Sequence, residues 1–303
     1  MTIRFDDRVA LVTGAGQGLG RSHALLLASR GAKVVVNDLG GSLDGSGTDG
    51  SAAQQVVDEI RAAGGEAVAN TDSVAEPEGA AAIVQTALAT WGRIDVVINN
   101  AGILRDKTFV KMGLDDFEEV VKVHLLGSVY VTKAAFPYLR KGSYGRIVMT
   151  TSAAGLYGNF GQTNYAAAKL GVVGLMNTLK IEGLKRNILV NTIAPVADTR
   201  MGAQVFPDNF KAMIRPELVS AAVAYLSSEQ CTTTGDVIVA AAGYFAKAQI
   251  VESRGYAFED TDAVTPEAVA EHWDGITAME GAGPHDSALD SMKKLFVKVG
   301  GEL

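Results

Sequence analysis

Short apolar runs recur along the chain, and each is followed by a stretch with helical spacing. The first run, Val9-Ala10-Leu11-Val12-Thr13, leads into glycines. A run that is apolar at every position is buried on both faces, so it predicts an interior strand. The same reading predicts strands over Lys33–Asp38, Glu66–Asn70, Ile94–Ile98, Arg146–Thr150, Ile188–Ile193 and Gly235–Ala240, the sixth stopped by Pro195. Helical spacing fills the intervals. It covers Leu19–Arg30, Ser51–Ala63 with a stop at Gly64-Gly65, Pro77–Trp91, Leu114–Arg140 with a bend near Pro137, Tyr165–Lys185 and Pro216–Ser227.

Strands that alternate with helices pair in parallel through right-handed crossovers. The expected fold is therefore α/β, a doubly wound parallel seven-stranded sheet with its ligand crevice beyond the strand C-terminal ends. One stretch is compositionally biased: residues 40–50 hold five glycines in eleven positions and read as a loop. After Gly243 the pattern changes. Thr265-Pro266-Glu267 combines an N-cap, a first-turn proline and an acid at the positive helix end, and predicts a helix over Ala268–Thr277. This tail is too short and polar for a second core. The expectation is a main domain over 1–245 and a partly helical extension over 246–303, packed on that domain or on a neighbouring subunit.

Composition narrows the classes. With 48% hydrophobic and 20% charged residues, a chain of 303 residues can bury a substantial core. A formal charge of −7 argues against a nucleic-acid partner, which requires clustered Lys and Arg. The single cysteine, Cys231, forms no intrachain disulfide and reads as a small apolar filler in a reducing compartment. His23, His124, His272 and His285 lack metal-ligand spacing, so no metal is expected. The N-terminus has no signal-peptide run, no stretch is apolar for about 18 residues, and Gly300-Gly301-Glu302-Leu303 is not a peroxisomal address. These features suggest a cytoplasmic protein without a membrane span.

The first strand enters Thr13-Gly14-Ala15-Gly16-Gln17-Gly18-Leu19-Gly20, a T-G-x-x-x-G-x-G turn that opens a helix. Such glycines let the backbone approach a pyrophosphate, and the helix N-terminus offers N–H donors and a positive dipole end. Asp38 ends the second strand. A carboxylate there accepts from both ribose hydroxyls of NAD and repels a 2′-phosphate, whereas Arg21, the nearest cation, leaves NADP open. Asp72-Ser73-Val74 follows the third strand at the expected adenine edge, and Asn99-Asn100-Ala101-Gly102 follows the fourth at the switch point. Gly14, Gln17, Gly18, Gly20, Asp38, Asp72, Val74, Asn99, Ala101 and Gly102 thus make up the expected NAD site.

Tyr165 and Lys169 lie four apart at a helix start and share a face. A free phenol titrates near pH ~10, and an adjacent ammonium together with a positive nicotinamide favours the phenolate. Ser152, thirteen residues upstream at a strand end, can hold a substrate oxygen.

With these motifs in this order, residues 5–245 or so resemble the short-chain dehydrogenase/reductase family. The resemblance implies that Tyr165 is the catalytic acid/base, that Ser152 orients the substrate oxygen and that Lys169 also binds the nicotinamide ribose. It places Asn191 and Pro195 beside the nicotinamide and Thr199 near the carboxamide. It further implies a homodimer or homotetramer built on the helices near 114–140 and 165–185. One residue departs from the pattern: His124, in Val123-His124-Leu125-Leu126-Gly127, stands where the family carries an Asn that steadies a water-mediated proton relay. Two readings stay open for it, a relay member or a hydrogen-bonded structural histidine.

Val35 to Gly41, Asn99 to Phe109 and Tyr157 to Gln162 are similar to a narrower group. This is the (3R)-hydroxyacyl-CoA dehydrogenase units of peroxisomal multifunctional enzyme type 2, with their stand-alone bacterial relatives. That group shares the long glycine-rich loop, the histidine and a C-terminal extension. The resemblance implies NAD-dependent oxidation of a small-molecule (3R)-hydroxyacyl-CoA to a 3-ketoacyl-CoA. The alternatives are a 17β-hydroxysteroid dehydrogenase and an NADP-linked 3-oxoacyl reductase, the second disfavoured by Asp38. The 60 residues after Gly243 are too few for the hydratase and sterol-carrier domains. In loop 196–215, Met201, Val205, Phe206 and Met213 read either as substrate-cleft lining or as core.

Overall fold

The apolar runs form the strands of one sheet. The structure is a computed structural model, and it describes residues 2–198 and 212–298. Strands β1 (Val9–Thr13), β2 (Lys33–Asn37), β3 (Glu66–Asn70), β4 (Val96–Asn99), β5 (Gly145–Thr150), β6 (Ile188–Val196), β7 (Val237–Ala241) and β8 (Tyr244–Ala248) lie in the order β3-β2-β1-β4-β5-β6-β7-β8. The pairs from β3 through β7 are parallel. The order reverses between β1 and β4, which sets the switch point where the expected crevice lies. Every residue of β1 and β5 is buried, including Arg146 and Thr150 of β5. Each fully buried Leu or Ile, such as Leu11, Ile98 and Ile147, contributes roughly 1.5–3 kcal/mol of hydrophobic stabilisation.

The helices are α1 (Gly18–Ser29), α2 (Ser51–Ala62), α3 (Pro77–Trp91), α4 (Leu114–Val121), α5 (Gly127–Gly142), α6 (Ala153–Tyr157), α7 (Thr163–Leu184) and α8 (Pro216–Leu226). His23 is buried where α1 meets α8, with Nδ1 2.7 Å from the Ser220 hydroxyl.

Four expectations need correcting. Among the described residues the sheet has eight strands, because Ala242 and Gly243, both at positive φ, turn the chain back from β7 into β8. β4 begins at Val96 instead of Ile94. Pro195 does not stop β6: β5 ends at Thr150 opposite Ile193, so beyond that point β6 has one neighbour and tolerates a missing N–H. The irregularity in the long helix is not at Pro137, which α5 contains, but at Lys122–Leu126, a π-helical turn between α4 and α5.

The chain divides into two compact units, Met1–Lys247 and Ala248–Leu303. In the second, Thr265 caps α9 (Pro266–Glu271) by accepting from the Ala268 N–H at 3.1 Å. The single helix expected over 268–277 is two, α9 and α10 (Trp273–Thr277), meeting at His272. His272 packs on Tyr256 with ring centroids 4.3 Å apart. Helix α11 (Ala288–Lys298) follows, and its Lys294 binds Glu252 at 3.2 Å.

Candidate active site

The turn from β1 into α1 is shaped by glycines that nothing larger replaces. Gly14 and Gly18 have φ of 62° and 54°. A Cβ at Gly14 would lie 2.7 Å from the Ala101 Cα, and one at Gly20 would lie 2.1 Å from the Gly14 carbonyl oxygen. The loop after β4 is stapled to this turn. The Asn100 and Ala101 N–H groups donate to the Thr13 hydroxyl at 3.0 and 3.1 Å, and the Asn100 side-chain amide donates to the Gly14 carbonyl at 3.1 Å. Gln17 caps α1 without a side-chain hydrogen bond, and no acid stands in the first turn, so the positive helix end has no anionic partner there.

Gly14, Gln17, Gly18, Asp38, Asp72, Val74, Ala101 and Gly102 line one cleft. Both Asp38 oxygens accept backbone N–H groups, from Gly16 and Gly40, each at 2.7 Å. The carboxylate is thereby oriented at the end of β2. This donor and acceptor set fits a dinucleotide: bare N–H groups at α1 for a pyrophosphate, and a fixed carboxylate for ribose hydroxyls. The glycine-rich loop supplies a further wall. Its Leu43 carbonyl accepts the Leu104 N–H at 2.9 Å, and Gly45 lies against Ile103.

Two expected side chains make their hydrogen bonds elsewhere. The Asn99 side chain donates to the Thr132 hydroxyl of α5 at 2.9 Å and faces away from the cleft. Asn191 is fully buried and uses its amide on the Thr233 carbonyl and the Asp236 N–H, which ties β6 to the approach of β7. Pro195 lies in β6, paired with Ala240 of β7. Thr199, with Met201, Val205 and Phe206, lies outside the described residues.

Beyond the C-terminal ends of β5 and β4, four side chains converge. Ser152 caps α6, its hydroxyl accepting the Ala154 N–H at 3.1 Å. Lys169, buried within the first turns of α7, donates its Nζ to the Thr150 carbonyl at 2.7 Å. That Nζ lies 5.5 Å from the Tyr165 ring centroid. His124, buried in the π-helical turn, stands edge-on to the Tyr165 ring, centroids 5.1 Å apart. Its Nε2 meets both the N–H and the carbonyl of Ile103, at 3.0 and 2.8 Å. Nδ1 has no partner among the described residues.

The electrostatics correct the simple picture of an ammonium lowering a phenol. Burial raises the Tyr165 phenol, the Asp106 charge adds to this, and the Ser152 hydroxyl opposes it. Burial pushes the Lys169 ammonium down to about 7, and burial, with the Lys169 charge, holds His124 neutral, well below its ordinary value. The protein alone therefore favours uncharged partners. Because the Lys169 value is depressed when folded, the unfolded chain binds more protons between its folded and unfolded values, and stability rises with pH there. Chemical denaturation of the ligand-free protein is expected to show rising stability from about pH 7 to ~10. Lys169→Met is expected to flatten that rise, and an unchanged slope would contradict this assignment.

Asn164, missed by motif reasoning, organises the site. It is fully buried, its Oδ1 accepts the Tyr165 N–H at 2.7 Å, and its Nδ2 donates to the Arg105 carbonyl at 3.1 Å. It thus fixes α7 to the loop after β4. Its polar side chain beside the Tyr was the one available signal.

A profile of the short chain dehydrogenase family matches residues 8–209. The chain belongs to that family. As a family member it is an oxidoreductase built to use a nicotinamide cofactor. Peroxisomal multifunctional enzyme type 2 of Drosophila melanogaster is 50% identical over 282 residues, which is 92% of this chain and 47% of that protein. The chain therefore spans about half the length of that relative. The solved structure of the Drosophila enzyme superposes with a TM-score of 0.84 at 42% identity, covering 98% of this chain and 50% of that one. A short-chain type dehydrogenase/reductase of Mycobacterium tuberculosis is 50% identical over 276 residues, 91% of this chain and 96% of that protein. A 7α-hydroxysteroid dehydrogenase solved with NADH has a TM-score of 0.72 at 28% identity, covering 79% and 95% of the two chains. Among the described residues, no helix is long and apolar enough to cross a membrane, and no cluster of His, Cys, Asp or Glu is placed to hold a metal ion.

Proposed function

We propose that this dehydrogenase oxidises (3R)-hydroxyacyl-CoA to 3-ketoacyl-CoA with NAD. The observation that carries the reading is the convergence of Ser152, Tyr165 and Lys169 at the strand ends, beside a cleft holding the Asp38 carboxylate. Gly14, Gln17, Gly18, Asp38, Asp72, Val74, Ala101 and Gly102 would hold the dinucleotide, with Gly20 keeping the turn tight. A bound nicotinamide would supply a two-electron acceptor for hydride and a positive charge that favours the phenolate. Ser152 donates a hydrogen bond to the substrate oxygen. The Tyr165 hydroxyl, as phenolate, takes the carbinol proton. Lys169, when charged, stabilises that phenolate. His124 holds the loop at Ile103 and offers its unpaired Nδ1 to the proton relay.

Asp38 supports NAD over NADP, because a second negative charge at that position repels a 2′-phosphate. The substrate class follows the resemblance to (3R)-hydroxyacyl-CoA dehydrogenase units, and the 50% and 49% identity to two multifunctional enzymes supports it. Hydroxysteroid oxidation and NADP-linked 3-oxoacyl reduction are the competing readings, supported by a hydroxysteroid dehydrogenase neighbour and a 3-oxoacyl reductase relative. A homo-oligomer belongs to the same reading, since α7 exposes Leu170, Ile181 and Leu184. So does a cytoplasmic setting without a nucleic-acid partner, although several relatives are named as peroxisomal.

One experiment tests these claims together. Initial rates with NAD and NADP are measured on (3R)- and (3S)-hydroxyacyl-CoA and on a 17β-hydroxysteroid, using protein sized by light scattering. The expected result is a mass above one chain, turnover of the (3R) thioester, and at least tenfold preference for NAD. In Asp38→Ala that preference shrinks. Faster turnover of the steroid, or of NADP, would replace the reading.

A further inference from the structure

The glycine-rich loop leaves the end of β2 at Asp38 and docks on the loop after β4. β1 lies between those two strands in the sheet, so the chain from 39 to 49 crosses the end of β1, where the turn of Gly14 and Gly18 stands. The base of the loop is pinched. The Asp49 N–H donates to the Leu39 carbonyl at 3.2 Å, and a Cβ at Gly40, whose φ is 77°, would run into the Asp49 carbonyl. The tip is a closed turn. The Ser42 N–H donates to the Ser46 carbonyl at 2.8 Å, and the Asp44 carboxylate accepts the Ser46 N–H at 2.9 Å and the hydroxyls of Ser42 and Ser46. A narrow base and a self-bonded tip make a strap that moves as one piece.

Among the described residues, two hydrogen bonds join the tip to the rest of the chain. The Leu104 N–H donates to the Leu43 carbonyl at 2.9 Å, and Arg105 Nε donates to the Asp44 carbonyl at 2.8 Å. The first is a backbone contact that any residue but proline supplies. The second depends on the Arg105 side chain. The post to which the strap is tied is itself fixed: His124 holds Ile103, Asn164 holds the Arg105 carbonyl, and Arg105 Nη1 lies 3.6 Å from the Asp116 carboxylate. Strap and glycine turn line the same cleft, with Ser42, Leu43 and Gly45 on one wall and Gly14, Gln17 and Gly18 on another. A dinucleotide with its ribose at Asp38 and its pyrophosphate at the start of α1 lies between them.

We propose that Arg105 is a positioning residue that latches this strap across the dinucleotide cleft and so sets the rate at which the cofactor enters and leaves. The inference rests on the dinucleotide part of the proposed function and not on the substrate. The latch joins two groups of the chain itself, so it forms with or without cofactor. Such a latch slows passage in both directions and leaves the cofactor's own contacts unchanged. Losing one hydrogen bond from a charged donor in a partly exposed position opens the strap about tenfold more often.

The test is stopped-flow fluorescence with NADH and with NADPH on the native protein, Arg105→Met and Arg105→Lys. Association is followed directly, and dissociation by displacement with excess oxidised dinucleotide. In Arg105→Met both rate constants are expected to rise about tenfold while Kd changes less than about threefold. Arg105→Lys keeps a charged donor on a long stem, and its rates should lie between those of the other two. Hydrogen exchange without dinucleotide supplies a second reading: in Arg105→Met the amides of 42–46 and of Leu104 should exchange faster, and those of β1 and β5 should not. Unchanged rate constants in Arg105→Met overturn the proposal. A rise in dissociation alone also overturns it, because Arg105 would then belong to the binding surface. If the native protein binds neither dinucleotide, the proposed function fails at its cofactor, and exchange at 42–46 alone then decides whether Arg105 holds the strap. Oxidation of a different alcohol would replace the substrate reading and leave the latch standing.

Discussion

Tyr165→Phe is expected to lower kcat by roughly 10³-fold while dinucleotide affinity changes less than about threefold. The substitution removes one oxygen. The ring remains, so the edge contact with His124 and the position over Lys169 are kept. The cleft residues that would hold the dinucleotide come from β1, β2, β3 and β4 and do not include the phenol oxygen. What is lost is the group that accepts the carbinol proton, and no other described side chain is placed to replace it. Lys169 is occupied by the Thr150 carbonyl, and His124 is buried behind the ring and held neutral. Fluorescence titration with NADH, beside steady-state turnover, separates the two effects. Turnover within tenfold of the native value would remove Tyr165 from the chemistry.

Gly102→Ala is expected to damage both stability and turnover. An added Cβ would lie 2.2 Å from His124 Cε1, 2.9 Å from Nδ1 and 3.0 Å from Nε2. The whole imidazole has to move, although it is buried and clamped at Ile103. Overpacking of this kind costs about 2 kcal/mol, which for a domain of this size lowers Tm by about 5 °C. A displaced ring also loses its edge contact with Tyr165, so kcat should fall by about tenfold or more. The decisive control is the pair Gly102→Ala with His124→Ala. Removing the ring opens the space that the new methyl needs, so the double variant should be less destabilised than the sum of the singles. Additive losses would show that Gly102 acts through something other than the histidine.

The same residues show what the chain discloses before it folds. The parallel sheet was legible because interior strands carry unbroken apolar stretches such as Val9–Val12. The turn into α1 was legible because its glycines recur at fixed spacing ahead of a helix. The convergence of Ser152, Tyr165 and Lys169 was carried by the family resemblance together with the i, i+4 spacing, and the structure brings the three together. Other features leave little mark. One extra residue in the turn at 122–126 does not disturb helical periodicity enough to be read. The turn before β8 uses Ala at positive φ where Asn or Asp is the usual signal. A motif also does not say which member of Asn99-Asn100 faces the glycine turn and which faces Thr132. The ionisation of Tyr165 and Lys169 depends on burial, which spacing does not encode.

The strand order has a consequence for how the chain is made. β1 lies between β2 and β4, and its partners on the second side, Val96, Val97 and Ile98, are about eighty-six residues away along the chain. A ribosome-bound chain can pair β1 with β2 and β2 with β3 once residue 70 has emerged. It then carries β1, a fully buried strand of the finished sheet, with one edge open until residue 98 has been made. Closure of such a distant parallel pair is slow compared with local structure formation. The nucleotide half of the fold therefore waits on the strand that also brings the loop of Gly102 and Arg105. The surface that awaits the cofactor is completed in the same event that seals the centre of the sheet.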